Sequence, residues 1–418
     1  MLSVEEARDI VLGRIERLEP ESVPLLESLG CVLAADVVSD IDVSPFDNSA
    51  MDGYAVQAAD TAAASDEAPV VLRVVDHIAA GSMPQAPVGP GEASRIMTGA
   101  PVPLGADAIV MVEVTKGLEQ GGSTGGTVAI SRPATFGDHI RKAGEDVAKG
   151  ETVLRAGEVV NAASIGLMAA VGTPMPLVYR RPRVAIISTG DELVAVDAVP
   201  GPGQIRNSNS YSLAAQVLAA GGVPHMLGIA RDNEADTRAL LGRASEFDLM
   251  VTTGGVSMGD FDVVKSVLEQ MGKLDFWKVA MRPGAPQTYG TIDGTPFFGL
   301  PGNPTSTMVG FELFVRPAIR KMRGFASLDR PRVWATLAEH AKKKSDRRYF
   351  MRGVLNRVEG VEHGAPVYEA RLSGRQSSAM LSSMHRAGCL ISLPEGLSSV
   401  PAGTVVECIR LDQEEGTP

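Results

Sequence analysis

Residues 183–193 read RVAIISTGDEL, an apolar run that ends in a polar loop containing glycine. Apolar residues without alternation are typical of a strand that is buried on both faces of a sheet. From this run onward, strand patterns alternate with helical patterns, which predicts a parallel, doubly wound α/β sheet. The predicted strands are 183–188, 225–230, 248–252 and 297–300, and the predicted helices are 210–220, 234–244, 261–271 and one that follows 301–304 and ends at Met322.

The chain on either side of this α/β segment shows other patterns. Helical patterns at 4–18, 23–33 and 161–171 are interrupted by a Gly/Pro-rich region of short strands, so we expect a β domain inserted into a helical domain. Short strand patterns near the C-terminus predict a small β-barrel or sandwich. The predicted fold is multidomain α/β, with a helical domain over 1–44 and 141–180, an inserted β domain over 45–140, the α/β domain over 181–326, and a C-terminal β domain over 327–418 with strands at 334–337, 348–355, 366–372, 389–393 and 404–411.

Length and composition exclude several classes of protein. The 418 residues exceed the size at which a single core keeps growing, and 44% hydrophobic with 21% charged residues is ordinary for a folded protein. The formal net charge of −11 argues against a general binder of nucleic acid or acidic membranes, because such proteins normally present excess Lys and Arg. An anionic ligand would therefore need a local basic pocket.

The N-terminus and the cysteines indicate the compartment. Ser3 to Glu6 reads as a capping box that opens a helix rather than as a signal peptide, and no apolar run approaches the ~20 residues that cross a bilayer. Cys31, Cys389 and Cys408 lack CxxC spacing, so neither a disulfide framework nor a thiolate zinc site is supported. We expect a soluble, cytoplasmic protein that binds neither membranes nor nucleic acid.

Polar loops follow the predicted strands of the α/β segment. In open α/β sheets, ligands bind outside the carboxyl ends of the strands, where these loops would converge. Gly254 and Gly255 would let a phosphate approach the backbone, although a tight strand-to-helix turn explains the pair equally well. Neither the GxxxxGK[ST] nor the GxGxxG pattern is present. The loops are 188–192, 231–232, 252–260 and 301–304.

Carboxylates are concentrated at the same predicted edge of the sheet. Glu192, Asp232, Asp260 and Asp262 would repel one another unless a cation offset their charge. Mg²⁺ fits best, because it takes oxygen ligands and keeps several waters when it binds a phosphate. Asp260 is more simply explained as a helix cap, and for Asp262, in the first turn of the helix, the structural and functional explanations are equally good.

Basic residues mark two further segments. Lys278 and Arg282 lie four residues apart around a predicted strand end, so both would point to one face and could meet one anion, whereas two solvated surface charges would be the simpler alternative. The basic residues between 342 and 352 are typical of a solvated face. Arg352 differs from the others, because it stands within a predicted strand and its planar guanidinium suits an oxyanion.

Two loops outside the α/β segment mix polar and apolar residues without a period. They are 46–54, FDNSAMDGY, and 95–103, RIMTGAPVP. Such loops indicate either segments that are fixed for contact with a ligand or elaborate turns, and the pattern favours neither.

Seven motifs together resemble the MoeA family of molybdopterin molybdenumtransferases, to which the gephyrin E domain and the plant Cnx E domain are related. Each motif alone is weak, but their number and order are specific, and they span nearly the whole chain. The motifs are PFDNSAMDGYAV (45–56), RIMTGAPVP (95–103), IRKAGEDV (140–147), STGDEL (188–193), TTGGVSMGDFD (252–262), FWKVAMRPG (276–284) and GLPGNP (299–304).

The resemblance implies a homodimer whose subunits each have a helical segment, an inserted β domain, a molybdopterin-binding α/β domain and a C-terminal β domain. It implies an active cleft formed by the α/β domain of one subunit and the β domains, including the inserted domain of the other subunit. Dimerisation would then be required for activity.

The resemblance also assigns expected roles to individual residues. The expected catalytic residues include the three carboxylates that would hold Mg²⁺, namely Glu192, Asp232 and Asp262. The remaining catalytic residues are Asp52 and Lys278. The expected substrate-binding residues are Thr98, Asp146, Gly254, Gly255, Ser257, Arg282, Pro301, Asn303, Arg352 and Ser378. Many relatives carry Lys at the position of Arg282, and some carry Lys at the position of Ala285.

The implied reaction inserts molybdate, a substrate, into adenylylated molybdopterin, with Mg²⁺ as cofactor and release of AMP. The upstream molybdopterin adenylyltransferase is an expected partner. Two alternatives remain open: that adenylyltransferase activity itself, which uses a related α/β domain, and a gephyrin-like scaffold that binds a partner peptide.

Overall fold

A computed structural model describes residues 1–255, 263–362 and 365–412. The chain divides into two compact units. The first unit comprises Met1–Ser22, Gly30–Ala34 and Leu177–Pro418, and the second comprises Val23–Leu29 and Ala35–Pro176. The partition into four domains remains a prediction.

The first helix begins at the predicted capping box. The hydroxyl of Ser3 accepts the N–H of Glu6 at 3.1 Å, and the carboxylate of Glu6 accepts the N–H of Ser3 at 2.8 Å. The helix ends at Arg14, before the predicted end at Leu18. Up to residue 180 the elements are α1 Val4–Arg14, β1 Pro20–Ser22, β2 Val37–Val38, β3 Asn48–Ser49, β4 Gly53–Val56, β5 Val70–Ile78, β6 Glu92–Ile96, β7 Ala108–Met111, β8 Thr115–Gly117, β9 Thr127–Ile130, β10 Ile140–Arg141, β11 Thr152–Leu154, α2 Ala162–Ala170 and β12 Leu177–Tyr179.

The prediction of a helix at 23–33 is wrong. Only Leu25–Ser28 forms a 3-10 turn. Gly30 adopts a left-handed φ of +71°, and beyond it Leu33 bridges to Val178 while the N–H of Ala34 donates to the carbonyl of Leu177. The apolar residues at the end of this segment are therefore paired in an extended conformation and do not form a helix.

The second unit is built around a six-stranded sheet in the order β7-β4-β6-β5-β9-β8. Its pairs are antiparallel except for β5 with β6. Tyr54, Leu72, Val74, Val128 and Ile130 pack in its core. Helix α2 lies within the predicted helical stretch and is capped by Asn161, whose side chain accepts the N–H of Ser164 at 3.0 Å.

The doubly wound sheet predicted from 183 onward is confirmed. Its order is β16-β13-β17-β21-β20-β18, in which the first four strands are parallel. The antiparallel pair β20 and β18 extends the sheet and was not predicted. This segment contains β13 Arg183–Thr189, β14 Leu193–Val194, β15 Ile205–Arg206, α3 Asn209–Ala219, β16 Val223–Ala230, α4 Glu234–Leu241, β17 Leu249–Thr253, α5 Val263–Met271, β18 Gly272–Lys278, β19 Met281–Arg282, β20 Pro286–Ile292, β21 Thr295–Leu300, α6 Pro304–Gly310 and α7 Arg316–Met322.

Alternate residues of strand β13 enter two different cores, which explains its unbroken apolar run. Val184 and Ile186 pack with residues of α1, α3, α6 and α7. Ala185 and Ile187 pack on the opposite face with residues of α4 and α5. Helices therefore cover both faces of the sheet. Ligands can reach it only at the edge formed by the carboxyl ends of the strands.

The C-terminal region forms a closed five-stranded barrel. Its strands follow the order β24-β25-β22-β28-β26, and β26 pairs back onto β24. This resolves the predicted barrel or sandwich in favour of a barrel, with Leu337, Tyr349, Met351, Ile391 and Leu393 in its core. The elements are β22 Arg332–Leu337, β23 Ala341–Lys342, β24 Arg348–Glu362, β25 Ala365–Leu372, α8 Leu381–His385, β26 Cys389–Leu393, β27 Ser399–Val400 and β28 Val405–Arg410. Within the described ranges, no helix has the length and apolar character needed to span a membrane.

Candidate active site

A cavity of about 650 Å³ opens at the carboxyl ends of the parallel strands. We call it the carboxylate cavity, because Glu192 and Asp232 both line it. The loops after β13, β16, β17 and β21 meet here, and they bring together predicted site residues that are far apart in sequence. The predicted residues in its lining are Glu192, Asp232, Gly254, Gly255, Pro301 and Asn303.

Gly254 brings the loop after β17 close to strand β13. Its φ is +93°, and a Cβ atom there would lie 2.6 Å from the carbonyl oxygen of Thr189. The N–H of Gly254 donates to the carbonyl of Leu300 at 3.0 Å, which joins the ends of β17 and β21. This glycine is therefore required by the turn and by close packing, whatever ligand the loop binds.

Asn209 connects two of these loops and was not recognised in the sequence. Its side-chain amide donates to the hydroxyl of Thr253 at 2.9 Å and to the carbonyl of Gly302 at 2.8 Å. Its Oδ1 atom is buried without a hydrogen-bond partner, as is Oγ1 of Thr189, and both residues line the carboxylate cavity. The available signal was the polar run Asn207–Ser210, NSNS, which leads into helix α3 and includes its first two residues.

Glu192 and Asp232, the carboxylates of this cavity, are exposed, and Asp232 contacts the backbone of Asp191. Asp191 and Asp232 each accept the other's N–H, at 3.2 and 3.3 Å. In the described part of the chain, no three His, Cys, Asp or Glu side chains converge as a ready-made metal site. Asp260, Asp262 and Ser257 lie outside the described residues.

A second cavity of about 530 Å³ adjoins the first and shares Pro286, Pro301 and Asn303 with it. We call it the basic cavity, because five cationic side chains line it and no carboxylate does among its described lining residues. The backbone carbonyl of Ser378, another lining residue, accepts the N–H of Thr305 at 3.0 Å. The cations are Arg282, Lys342, Lys344, Arg347 and Arg352.

Arg352 is the most deeply buried of these cations, with 1% of its surface exposed. Its guanidinium donates to the carbonyl of Ser377 at 3.0 Å and to that of Arg375 at 3.3 Å, and to the hydroxyl of Ser383 at 3.3 Å. Burial lowers its pKa to about 10. No carboxylate of the described residues pairs with it, so its charge is available to an anion in the cavity.

Lys278 and Arg282 do not share a strand, which corrects the prediction that both point to one face. Strand β18 ends at Lys278, opposite Pro286 in the neighbouring strand. The chain then turns, and Arg282 joins the barrel sheet, where it pairs with Tyr349. Arg282 lines the basic cavity, whereas Lys278 does not appear in the lining of either cavity. The turn at 279–280 moves the two cations into different sheets.

The basic segment near residue 345 is not simply a solvated face. Lys343 is buried and its Nζ donates to the carbonyl of Pro394. Arg348 forms ion pairs with Glu5 and with Glu395, the latter at 3.2 Å. Lys342 and Lys344 are exposed but line the basic cavity. Tertiary packing thus divides this segment between structural pairs and a cavity wall.

Three predicted site residues lie in the second unit. One carboxylate oxygen of Asp52 accepts the N–H of Thr98 at 2.7 Å and the hydroxyl of Thr98 at 2.8 Å, which ties loop 46–54 to loop 95–103. These hydrogen bonds lower the pKa of Asp52 below its usual value, and the bond from the backbone N–H of Thr98 has the larger effect. Asp146 lines a separate cavity of about 540 Å³ together with Arg141, Lys142 and Glu145.

Comparison with protein-family models finds matches along most of the chain. Residues 2–172 match the MoeA N-terminal region (domain I and II). Residues 185–321 match a probable molybdopterin binding domain, and residues 335–411 match the MoeA C-terminal region (domain IV).

Similar proteins extend over the full length. Molybdopterin molybdenumtransferase 2 of Mycobacterium tuberculosis is 41% identical over 97% of this chain and 99% of its own length. Molybdopterin molybdenumtransferase of Bacillus subtilis is 38% identical over 100% of this chain and 95% of its own. Two crystal structures of a molybdopterin biosynthesis MoeA protein from Pyrococcus horikoshii superpose with TM-scores of 0.80 and 0.77 at 33% and 30% identity, each covering 98% of this chain and 99% of the other.

Proposed function

We propose that this chain, which belongs to the MoeA family, is a transferase that inserts molybdenum into molybdopterin. Its substrates are adenylylated molybdopterin and molybdate, and AMP is the second product. The reaction takes place in the cytoplasm.

The observation that carries this proposal is the pair of adjoining cavities with different chemistry. The carboxylate cavity contains Glu192, Asp232 and the backbone of Gly254 and Gly255, whereas the basic cavity contains five cations. A substrate that joins a pterin phosphate to a nucleotide and reacts with an oxyanion needs both environments side by side. The shared wall at Pro286, Pro301 and Asn303 brings them within reach of one ligand.

The carboxylate cavity suits Mg²⁺ and phosphate groups. Glu192 and Asp232 supply the hard oxygen donors that Mg²⁺ prefers, and Asp262 is the proposed third ligand. When bound, the ion would neutralise the charge of the phosphoanhydride. Gly254, Gly255 and Ser257 hold the phosphates through their loop, and the neighbouring loop of Pro301 and Asn303 also lines the cavity.

The basic cavity suits molybdate. Arg282 and Arg352 line it from two strands, and Ser378 also belongs to its lining. Lys278 approaches from the end of β18, next to the shared wall. Positioning and charge stabilisation supply the catalysis, so no Ser, Cys or His nucleophile is required.

Asp52, Thr98 and Asp146 act in a homodimer. The inserted β domain of one subunit contributes Asp52 and Thr98 to the catalytic cleft of the other, where Asp52 acts on the substrate, and Asp146 is a further substrate-binding residue. The upstream molybdopterin adenylyltransferase delivers adenylylated molybdopterin to this cleft.

The decisive experiment measures AMP release from adenylylated molybdopterin with and without Mg²⁺ and molybdate. We expect release only when both ions are present. Consumption of ATP with bare molybdopterin would instead identify an adenylyltransferase. Absence of turnover together with retained capture of a partner peptide would identify a scaffold. Tungstate in place of molybdate would measure oxyanion preference.

A further inference from the structure

Tyr349 stands at the wall of the basic cavity, at the start of strand β24. Only 6% of its surface is exposed, and its ring packs into the barrel core. The guanidinium of Arg282 lies over its ring, 5.7 Å from the centroid, and Nζ of Lys343 lies 5.4 Å from the same centroid. Arg282 is also its partner in the parallel pairing of β19 with β24.

The hydroxyl of Tyr349 makes a second set of contacts. It accepts the backbone N–H of Lys344 at 2.7 Å and lies 3.3 Å from the hydroxyl of Ser345. Burial opposes ionisation of this phenol, but these hydrogen bonds and the charge of Arg282 together lower its pKa below the usual value. The side chain of Tyr349 thus contacts Arg282 through its ring and the segment that carries Lys342, Lys344 and Arg347 through its hydroxyl.

Cations that share one cavity repel each other, and without a scaffold Arg and Lys side chains sample many rotamers. An aromatic face attracts a guanidinium through its quadrupole, and a hydrogen bond to the backbone fixes the loop that carries Lys344. We infer that Tyr349 is a positioning residue: it holds Arg282 and the loop of Lys342–Arg347 so that cations from two segments face one oxyanion. The inference rests on the proposed function, because it takes that oxyanion to be molybdate.

Tyr368 provides a matched control. It stands on strand β25 of the same barrel and packs against the same core as Tyr349. The guanidinium of Arg410 lies 5.7 Å from its ring centroid, the same distance as in the pair of Arg282 with Tyr349. Tyr368 does not line the basic cavity. Loss of either ring removes barrel packing and a cation contact, but only Tyr349 can affect oxyanion binding.

The experiment compares the full-length wild type with Tyr349→Leu, Tyr349→Phe and Tyr368→Leu. We expect Tyr349→Leu to raise KM for molybdate about tenfold with little change in kcat, since a cation–π contact is worth from about twofold at an exposed site to about thirtyfold when desolvated. Tyr349→Phe keeps the ring and loses the bond to Lys344, so its effect should be smaller. Tyr368→Leu should leave KM for molybdate unchanged. Equal rises in KM for Tyr349→Leu and Tyr368→Leu would overturn the inference.

Direct calorimetric titration with molybdate alone separates this inference from the proposed function. Molybdate binding by a wild type that releases no AMP would overturn the function, and weaker binding by Tyr349→Leu would still support the role of Tyr349. Equal molybdate affinity of wild type and Tyr349→Leu, or no binding by the wild type, would overturn the inference. If Tyr349→Leu fails to fold, Tyr349→Phe tests the hydroxyl contact, and unchanged molybdate affinity in that variant would overturn the inference, since Tyr349 would then not hold the loop of Lys342–Arg347.

Discussion

At the scale of single residues, Arg352 shows how burial prepares a charge for a ligand. Its hydrogen bonds go to carbonyls and a hydroxyl, none of which carries a formal charge, and burial alone accounts for its lowered pKa. A buried cation without a carboxylate costs folding free energy, which an anion can offset when it binds. Function rather than stability is therefore the better explanation for this residue.

The substitution Arg352→Met should separate stability from binding. Loss of the hydrogen bonds destabilises the fold, whereas removal of a buried unpaired charge stabilises it. Because the two effects oppose each other, the free energy of unfolding should change by less than about 2 kcal/mol. KM for molybdate should rise at least about tenfold, because a hydrogen bond to a charged group is worth roughly 1.5–3 kcal/mol. Arg357→Met, at an exposed position of the same strand, is the control and should change neither quantity. A large loss of stability in Arg352→Met, measured by urea denaturation, would contradict this account.

At the scale of elements, the carboxylate cavity depends on how the strand ends are joined. Asn209 at the start of α3 ties Thr253 of β17 to the loop after β21, and Gly254 lets the loop after β17 pass close to Thr189 of β13. Each contact joins elements that are distant in sequence. The shape of the cavity is therefore sensitive to substitutions that leave every predicted ligand unchanged.

The substitution Asn209→Asp replaces a donor with an acceptor that faces the carbonyl of Gly302. We expect a loss of about 0.5–1.5 kcal/mol in the free energy of unfolding, because the carbonyl of Gly302, at an exposed position, loses the hydrogen bond from the amide. Asn233→Asp is the matched control: Asn233 caps α4 by accepting the N–H of Asp236 at 2.9 Å, a bond that Asp also makes. Thermal denaturation should show a lower Tm for Asn209→Asp and an unchanged or higher Tm for Asn233→Asp. The same Tm for both variants would show that the amide of Asn209 does not connect the loops.

Two glycines with similar backbone angles separate strain from close packing. Gly254 has a φ of +93° and a Cβ position 2.6 Å from the carbonyl oxygen of Thr189, whereas Gly294 has a φ of +83° and open space around it. Gly294→Ala should cost about 1–2 kcal/mol, the penalty for a left-handed residue. Gly254→Ala should cost clearly more, because the loop must also move. Equal losses in urea denaturation would mean that the approach to Thr189 is not tight.

At the scale of the whole molecule, the net charge of the chain is opposite in sign to the charge of the basic cavity. The chain carries a formal net charge of −11, yet five cations line the basic cavity. The positive potential is therefore local, so an oxyanion would be attracted by the cavity and not by the surface as a whole. The proposed homodimer adds Asp52 from one subunit to the cleft of the other.

Mixing two variants that each lower activity tests this shared cleft, with molybdate kept well below its KM so that the higher KM of Arg352→Met appears as a loss of rate. Asp52→Asn and Arg352→Met change residues of different units, so a heterodimer of the two would contain one cleft with both changes and one with neither. After dissociation and random reassociation, we expect AMP release to recover to about a quarter of the wild-type rate, since half of the dimers would have one intact cleft of two. Each variant reassociated with itself is the control. Failure to recover, with subunit exchange shown by a tagged subunit, would place both residues in a cleft of one subunit.

The sequence by itself determined the doubly wound sheet, the C-terminal β region and the loops that line the carboxylate cavity. Apolar periodicity is a local property, and parallel strands bring their carboxyl ends to one edge wherever they lie in the chain. Only the tertiary structure decided that the barrel closes, that Arg282 leaves the sheet of Lys278 to pair with Tyr349, and that the segment near Lys343 divides between buried pairs and a cavity wall. These outcomes depend on contacts between residues that are far apart along the chain, which no local pattern of residue types encodes.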